Sequence, residues 1–460
     1  MIRTALAVSA GKLARLALMR TGRGATALPG LVALAVDPAA LRSLTAPLEH
    51  GAVCVSGTNG KTTTSRMLAD IVRAAGWAPV HNRSGSNLDR GLVAALLADS
   101  SWTGVPSGNV GILEVDEATL PRVLGRLAPR VVVVTNLFRD QLDRYFEIDA
   151  LAKRIAAAVA RLPDATTLVL NADDPIVASL ADGYRGPVTY FGVDDPAVGG
   201  TVPQSISDAT RCPRCRQPLL YRRVILAHVG DWSCSSCGFS RPARDLAAAT
   251  VTLGAGGTSM RIAGSGAAVD AVTVPLPGLY NAYNALAALL AARALGIGLA
   301  TATRAMAAFR PAFGRLEIVQ AEGRTLRLML VKNPAGFNAA IGALLETGRR
   351  PRLLAALNDK DADSRDVSWI WDADFESLAP QVEHAVITGL RARDLALRFK
   401  YAGVDAPRLD VIDGWKAALE GVLERTPPGE EIVVVATYTA MLALREALAD
   451  LGHVGRFWED

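Results

Sequence analysis

The chain has 460 residues, of which half are hydrophobic and 20% charged, with a formal net charge of +4. That composition belongs to a globular chain and not a disordered one, and the length allows two or three domains with cores of their own. The small net charge, without a Lys/Arg run, argues against a protein that binds the nucleic-acid backbone.

The first residues, MIRTALAVSAGKLARLALMR, are apolar but interrupted by Lys12, Arg15 and Arg20. An export signal needs an unbroken apolar core, so an amphipathic helix is predicted here, packed on the body or lying on a membrane surface. Ala52 to Ser56 reads as a short buried strand. Lys61 to Ala75 has helical spacing, with Met67, Leu68, Ile71 and Val72 on one side. Further buried strands are expected at 110–115, 130–136 and 167–171, separated by helices such as 149–161. This alternation predicts a parallel α/β sheet wrapped by helices. From residue 201 the texture changes. Polar residues and four cysteines run to about 244, and a β-like run follows at 250–262. The longest uncharged run, Ala271 to Ala292, contains Pro275, Pro277, Gly278 and Asn281. It reads as a strand end, a turn and a buried helix from Asn284 to about Leu295, not as a membrane span. A second α/β pattern begins near 324, with strands at 326–331, 352–357, 384–388 and 431–436. The expected organisation is a helical segment over 1–50, a nucleotide-binding domain over 51–318 and an α/β domain over 319–460. No transmembrane helix is predicted, and a cytoplasmic location is expected.

Between the first strand and its helix lies SGTNGKTTT, starting at Ser56. Backbone N–H groups of such a glycine turn cradle phosphate oxygens, the lysine neutralises the terminal phosphates, and the next hydroxyl ligates Mg²⁺. Gly57, Thr58, Asn59, Gly60, Lys61, Thr62 and Thr63 fill these positions. The usual longer loop has a further glycine where Val55 stands, so this loop is of a shorter class.

CPRC at Cys212–Cys215 and CSSC at Cys234–Cys237 are 18 residues apart, a C-x₂-C-x₁₈-C-x₂-C pattern. Four thiolates satisfy tetrahedral Zn²⁺, and a closed Cys₄ site is structural. A zinc ribbon over about 205–245 is therefore expected, as an insertion in the nucleotide-binding domain. Cys54 is left over and reads as inert core. The segment NDKDADSRDVSWIWDADFE, from Asn358 to Glu376, combines a run of aspartates with Trp369 and Trp371. It comes after a buried strand, where functional loops gather.

The short loop GTNGKT resembles that of Mur ligases and folylpolyglutamate synthetases. Five further segments match the Mur pattern in order. EVDEA at 114–118 resembles the segment whose glutamate binds magnesium, which implies Glu114 beside Thr62 on the metal. TNLFRDQLDRY at 135–145 resembles the "TN…DHLD" segment, with Gln141 in place of the histidine. LNADDP at 170–175 resembles the segment near the adenosine, implying Asn171 and Asp173. GLYNAYNALAA at 278–288 implies Asn284 near the nucleotide, and FGRLE at 313–317 implies Arg315 at the phosphates. The carbamylated lysine of typical Mur ligases has no clean counterpart, and their C-terminal "DYAHNP" is reduced to Asn333 and Pro334 in LVKNPAGFN. Only about 50 residues precede the loop, too few for a UDP-sugar domain.

The zinc ribbon, the missing UDP domain and the acidic WIW segment together resemble the MurT family, the synthetase subunits of lipid II isoglutaminyl synthases. The resemblance implies an α/β fold: a Mur-ligase-type central P-loop ATPase domain with an inserted Cys₄ ribbon, plus a C-terminal Rossmann-like α/β domain. It implies a carbon–nitrogen ligase that uses ATP and Mg²⁺, with structural Zn²⁺. It would amidate the D-glutamate α-carboxyl of the lipid II stem peptide through an acyl phosphate. Ammonia would come from a GatD-like glutaminase in a heterodimer, with peripheral membrane contact through the lipid substrate. Lys61, Glu114 and Arg315 would stabilise the transferring phosphoryl group. An aspartate would complete the partner's Cys-His pair; Asp366 is the first choice, with Asp359, Asp361 and Asp363 open. Two other readings stay open at this point, an amino-acid ligase needing no glutaminase and a non-enzymatic zinc-ribbon ATP-binding adaptor.

Overall fold

The computed structural model describes residues 2–20, 27–82, 86–138, 145–201, 209–254, 256–264, 267–310, 315–345, 350–360, 362–363 and 365–455. Three helices come first: α1 (Ile2–Arg20), α2 (Leu28–Val36) and α3 (Ala40–Thr45). Then the chain alternates: β1 (Ala52–Ser56), α4 (Lys61–Ala74), β2 (Pro79–His81), α5 (Asp89–Ala98) and β3 (Val110–Glu114). It continues through β4 (Val131–Val134), β5 (Thr167–Asn171) and β6 (Val188–Val193). A small hairpin, β7 (Leu220–Leu226) and β8 (Val229–Ser233), precedes β9 (Leu246–Gly254), β10 (Gly257–Gly264) and β11 (Ala267–Val274).

Nine of these strands form one sheet, in the order β11-β10-β9-β6-β5-β4-β1-β3-β2. The strands from β2 through β1 to β9 pair in parallel, and β9, β10 and β11 pair antiparallel. The central strands are covered on both faces, which is why AVCVS and VVVV read as unbroken apolar runs. Cys54 lies in the middle of β1, fully buried, and burial pushes its thiol up to about 12. The β-like run at 250–262 is two strands, split where β9 and β10 pair antiparallel around Gly254 and Gly257.

A second, six-stranded sheet holds β12 (Arg315–Ala321), β13 (Arg324–Leu330), β14 (Arg352–Ala356), β15 (His384–Thr388), β16 (Leu409–Val411) and β17 (Glu431–Ala436). Its order is β12-β13-β17-β14-β15-β16, parallel except for the edge strand β12. One hydrophobic cluster runs from α4 through the helix Leu279–Ala294 to Phe337 and Ile341 beside the second sheet. That helix starts five residues before Asn284, the expected first residue, because Gly278 (φ 98°) already caps it. Asn284 is therefore in its second turn. No helix among the described residues is long and apolar enough to cross a membrane.

Candidate functional site

In an open parallel sheet, ligands bind beyond the carboxyl ends of the strands where the strand order reverses. Here the chain leaves β1 toward β3 and β2, then returns to β4 on the other side. The crevice beyond β1 is thus lined by the segments at the carboxyl ends of β1, β3, β4 and β5: residues 57–62, 114–117, 135–136 and 171–174.

The loop between β1 and α4 is shaped by two glycines. Gly57 (φ 132°) passes Thr135 so closely that a Cβ would lie 2.2 Å from its Oγ1. Gly60 (φ 85°) faces Asn284, whose Oδ1 would be 2.0 Å from a Cβ. Asn284 is buried and donates to Asn281 Oδ1 (3.1 Å), while Thr64 Oγ1 donates to Asn284 Oδ1 (3.4 Å). Gly60→Ala combines left-handed backbone with that clash, so it should cost about 2 kcal/mol or more, read as a lower denaturant midpoint.

Asn59 is held from two sides. Its N–H donates to Asn136 Oδ1 (2.8 Å) and its C=O accepts from Asn136 Nδ2 (3.0 Å). Thr58 Oγ1 accepts from Phe138 N (2.9 Å) and is buried. Lys61 opens α4, with Thr62 half-buried and Thr63 buried behind it. The Lys61 ammonium donates to Gly57 O, to Thr58 O (3.1 Å) and to Glu117 Oε2 (2.8 Å). Glu117 was not among the residues expected from sequence; only the second glutamate of EVDEA hinted at it. Glu114 is buried at the end of β3, with its backbone clasped by Asn82 and its Oε1 accepting from Asn87 Nδ2 (3.5 Å). Burial, reinforced by the Glu117 charge, pushes the Asp116 carboxyl up. Glu117 is thus on the lysine of the loop, with Asp116 and Glu114 close to it in the chain; these are residue types that serve a metal–phosphate pair, but their carboxylates do not converge on one point.

The LNADDP segment is bound tightly to its surroundings. Asn171 Nδ2 donates to Thr135 O (2.9 Å), and its Oδ1 accepts from Asp173 N (3.0 Å). Asp173 is fully buried and accepts from Val193 N (2.8 Å), Tyr283 Oη (2.7 Å) and Arg241 Nε (2.7 Å). Burial raises its carboxyl, against the Arg241 charge that holds it down. Asp174 caps the next helix and accepts from Leu137 N (2.9 Å), tying β5 to β4. The side-chain groups of Asn171 and Asp173 are therefore spent on the frame of the crevice.

Arg241 lies just beyond the second cysteine pair. The four Sγ atoms of Cys212, Cys215, Cys234 and Cys237 all lie within 4.8 Å of one another, with Cys212–Cys237 at 3.6 Å and Cys215–Cys234 at 3.4 Å. Tetrahedral Zn²⁺ with bonds of about 2.3 Å places sulfurs about 3.8 Å apart, so the four thiols fit that ion. Backbone bonds from Arg216 N to Cys212 O and from Gly238 N to Cys234 O close the two knuckles, helped by positive φ at Arg216 and Gly238. Trp232, buried in the β7–β8 hairpin, donates to Ala172 O (3.1 Å), and Gly230 N donates to Asp173 O (2.8 Å). The cysteine module is thus fastened to the LNADDP segment.

The second sheet points its carboxyl edge at the same place. Asn333, after β13, is buried and donates from Nδ2 to Asn59 Oδ1 (3.3 Å). Asp366 lies farther along that edge, half-buried, its Oδ1 accepting from Ser368 N (2.8 Å). Hydrogen bonds from the Ser368 hydroxyl and backbone hold its carboxyl below the usual range. Asp363 is buried on Thr439 at the start of the helix Tyr438–Asp450, and Asp359 pairs with Arg391 (2.8 Å). Asp361 and Gln141 lie outside the described residues. Arg315 begins β12, and its side chain also lies outside them.

Residues 55–209 match the Mur ligase middle domain family, and residues 330–441 match the family described as MurT ligase C-terminal. The lipid II isoglutaminyl synthase (glutamine-hydrolyzing) subunit MurT of Staphylococcus aureus (strain N315) is 33% identical over 452 residues, 96% of this chain and 97% of the relative. The chain belongs to the MurT family. The same subunit of Streptococcus pneumoniae (strain ATCC BAA-255 / R6) is 34% identical over 450 residues, 97% of each chain. A pseudomurein peptide ligase type C from Methanothermus fervidus shares the fold at 22% identity, with a TM-score of 0.64 over 87% of this chain and 78% of that one. Folylpolyglutamate synthase from Mycobacterium tuberculosis, solved with ADP and AMPPCP, does so at 17% identity, with a TM-score of 0.63 over 93% and 96%. A MurT-family chain thus keeps the Mur fold, while its C-terminal residues match a family of their own from 330 onward. Asn333 and the aspartate loop both fall within that stretch.

Proposed function

We propose that this chain is the ligase subunit of a lipid II isoglutaminyl synthase. It uses ATP to amidate the D-glutamate α-carboxyl of the lipid II stem peptide. The observation that carries this reading is the phosphate loop of a MurT-family chain, braced by Asn136 and met by Asn333 from the second sheet.

A carboxylate is a poor electrophile because its resonance must be broken. Attack of a carboxylate oxygen on the γ-phosphorus releases ADP and leaves an acyl phosphate. Ammonia then adds to the carbonyl carbon, phosphate leaves and the amide forms. Lys61 neutralises charge on the transferring phosphoryl group, and Arg315 is assigned the same task. Thr62 and Glu114 would hold Mg²⁺, which would supply positive charge against that of the phosphates. Glu117, already on Lys61, sets the position of that ammonium. Asn284 and the frame around Asn171 and Asp173 shape the nucleotide end. The cysteine cluster takes Zn²⁺ as a structural ion.

The ammonia source is a GatD-like glutaminase in a heterodimer. Asp366 is assigned to a partner's histidine on the family resemblance: Asp363 and Asp359 are bonded to Thr439 and Arg391, Asp366 to Ser368 within its own loop, and Asp361 lies outside the described residues. An acid in that position fixes the tautomer and supports the imidazolium. Trp371, five residues on, and Tyr401 in ring contact with it are exposed and supply an apolar rim for the docking. The site is placed in the cytoplasm, at the inner face of the membrane that holds the lipid substrate.

The test is reconstitution with the glutaminase, lipid II, ATP and either glutamine or ammonium, with the product identified by mass spectrometry. Formation of the amide from both nitrogen sources is expected; ligation of a free amino acid by the lone chain would overturn the reading. Asp366→Asn should lower the glutamine-dependent rate at least about 10²-fold and leave the ammonium-dependent rate intact. Equal loss in both assays would remove Asp366 from that role.

A further inference from the structure

The N-terminal hairpin turns its large apolar side chains the wrong way for a helix that only packs. A surface helix normally buries its large apolar residues and exposes polar ones. In α1 the buried residues are Ala7, Val8 and Gly11, while Ile2 (82% exposed), Leu6, Leu13 (60%), Leu16 and Met19 face outward. At 100° per residue, Ile2, Leu6, Leu13 and Leu16 fall within about 80° of one another, so they form one stripe. In α2 the buried residues are Pro29, Gly30 and Ala33, and Leu28 and Leu31 are exposed.

The orientation is fixed by close approach. A Cβ on Gly11 would lie 2.7 Å from Leu97 Cδ1 and 2.9 Å from Pro29 O. A Cβ on Gly30 would lie 1.8 Å from Arg90 O. Neither helix can roll its leucines inward against α5. The outward stripe is therefore a stable surface of the fold.

Its charge says what it meets. Arg3, Lys12, Arg15 and Arg20 lie on α1, and neither α1 nor α2 contains an Asp or Glu. Lys12 sits over the ring of Trp102 (5.7 Å), itself half exposed beside the helix. Leucines with interleaved cations, no acids and a flanking tryptophan are the composition of an interfacial helix on an anionic bilayer. The location fits as well: Gly30 packs on Arg90, at the α5 end that begins beside Asn87 and Glu114, so the hairpin borders the crevice.

We propose that the α1–α2 hairpin docks this chain on the surface of an anionic lipid bilayer, with the stripe in the headgroup layer. The surface stands on the hairpin alone; that it delivers the crevice to a lipid-linked substrate rests on the proposed reaction.

The full chain is mixed with phosphatidylcholine vesicles, with or without phosphatidylglycerol, and pelleted. Binding is expected only with the anionic lipid, and it should weaken as salt rises. Leu13→Ser with Leu16→Ser, and separately Arg15→Glu with Arg20→Glu, should each weaken it about tenfold or more. Circular dichroism and the thermal midpoint should not move with the serine pair, since Leu13 and Leu16 are exposed; Arg15 is half-buried, so the charge-reversal pair is compared only where its circular dichroism matches the wild type. Wild-type protein that ignores anionic vesicles, or variants that pellet like wild type, would overturn the proposal. So would variants that keep vesicle binding but lose dimerisation or glutaminase capture, because the stripe would then be a protein interface.

Discussion

Lys61→Ala is expected to abolish amide formation, with a rate loss of at least about 10²-fold, the scale for removing one charge-stabilising donor from a transition state. The same change should destabilise the chain. Lys61 and Glu117 form a buried pair at 2.8 Å, and removing one partner leaves an uncompensated charge at a cost of about 3–5 kcal/mol. Activity loss alone would then be ambiguous, since a poorly folded enzyme is also inactive. The double variant Lys61→Met with Glu117→Gln separates the two effects. It removes both charges and should recover most of the unfolding midpoint, yet remain inactive. Activity in the refolded double variant would show that phosphoryl charge is handled elsewhere.

The second large effect is at the cysteines. Cys234→Ser, or chelation of the wild type, should lower the thermal midpoint by about 10 °C and expose 209–241 to protease. The cluster itself is small, so the size of the effect comes from what it fastens. Trp232, Gly230 and Arg241 all bond to residues 172–173, and Arg241 is the cation facing the fully buried Asp173. If the module loosens, Asp173 is left buried beside Tyr283 without its cation. A penalty of about 3–5 kcal/mol converts to roughly that shift in midpoint. Metal analysis should find about one zinc per chain in the wild type and none in the variant. A variant that keeps the wild-type midpoint and protease resistance would show that the ribbon is not held by metal.

The β1–loop–α4 unit was legible because its signals are local: an apolar pentapeptide, a glycine turn and a helical period that buries Met67, Leu68, Ile71 and Val72. The cysteine module was legible for the same reason, since two knuckles carry their own spacing. What escaped were the long-range pairings. Glu117 reaches Lys61 across 56 positions, and Asn333 reaches Asn59 across 274. No pattern within a window encodes either. The short strands β2 and β16 carry three residues each, too few for a period to show. The first helix was expected to be amphipathic, but its orientation was not readable. Spacing gives the stripe; only the glycine contacts with α5 decide which side it faces.

The brace on Asn59 has a thermodynamic consequence. One asparagine side chain satisfies both the N–H and the C=O of this residue, and a second asparagine from the other sheet takes its Oδ1. Ordering a loop residue costs roughly 1–2 kcal/mol in backbone entropy. Here that entropy is surrendered during folding, before any nucleotide arrives. A rigid cradle spends little of its binding free energy on immobilising itself. The cost is moved instead onto the folded protein, where Asn136 and Asn333 make the loop's shape part of how the two sheets are joined.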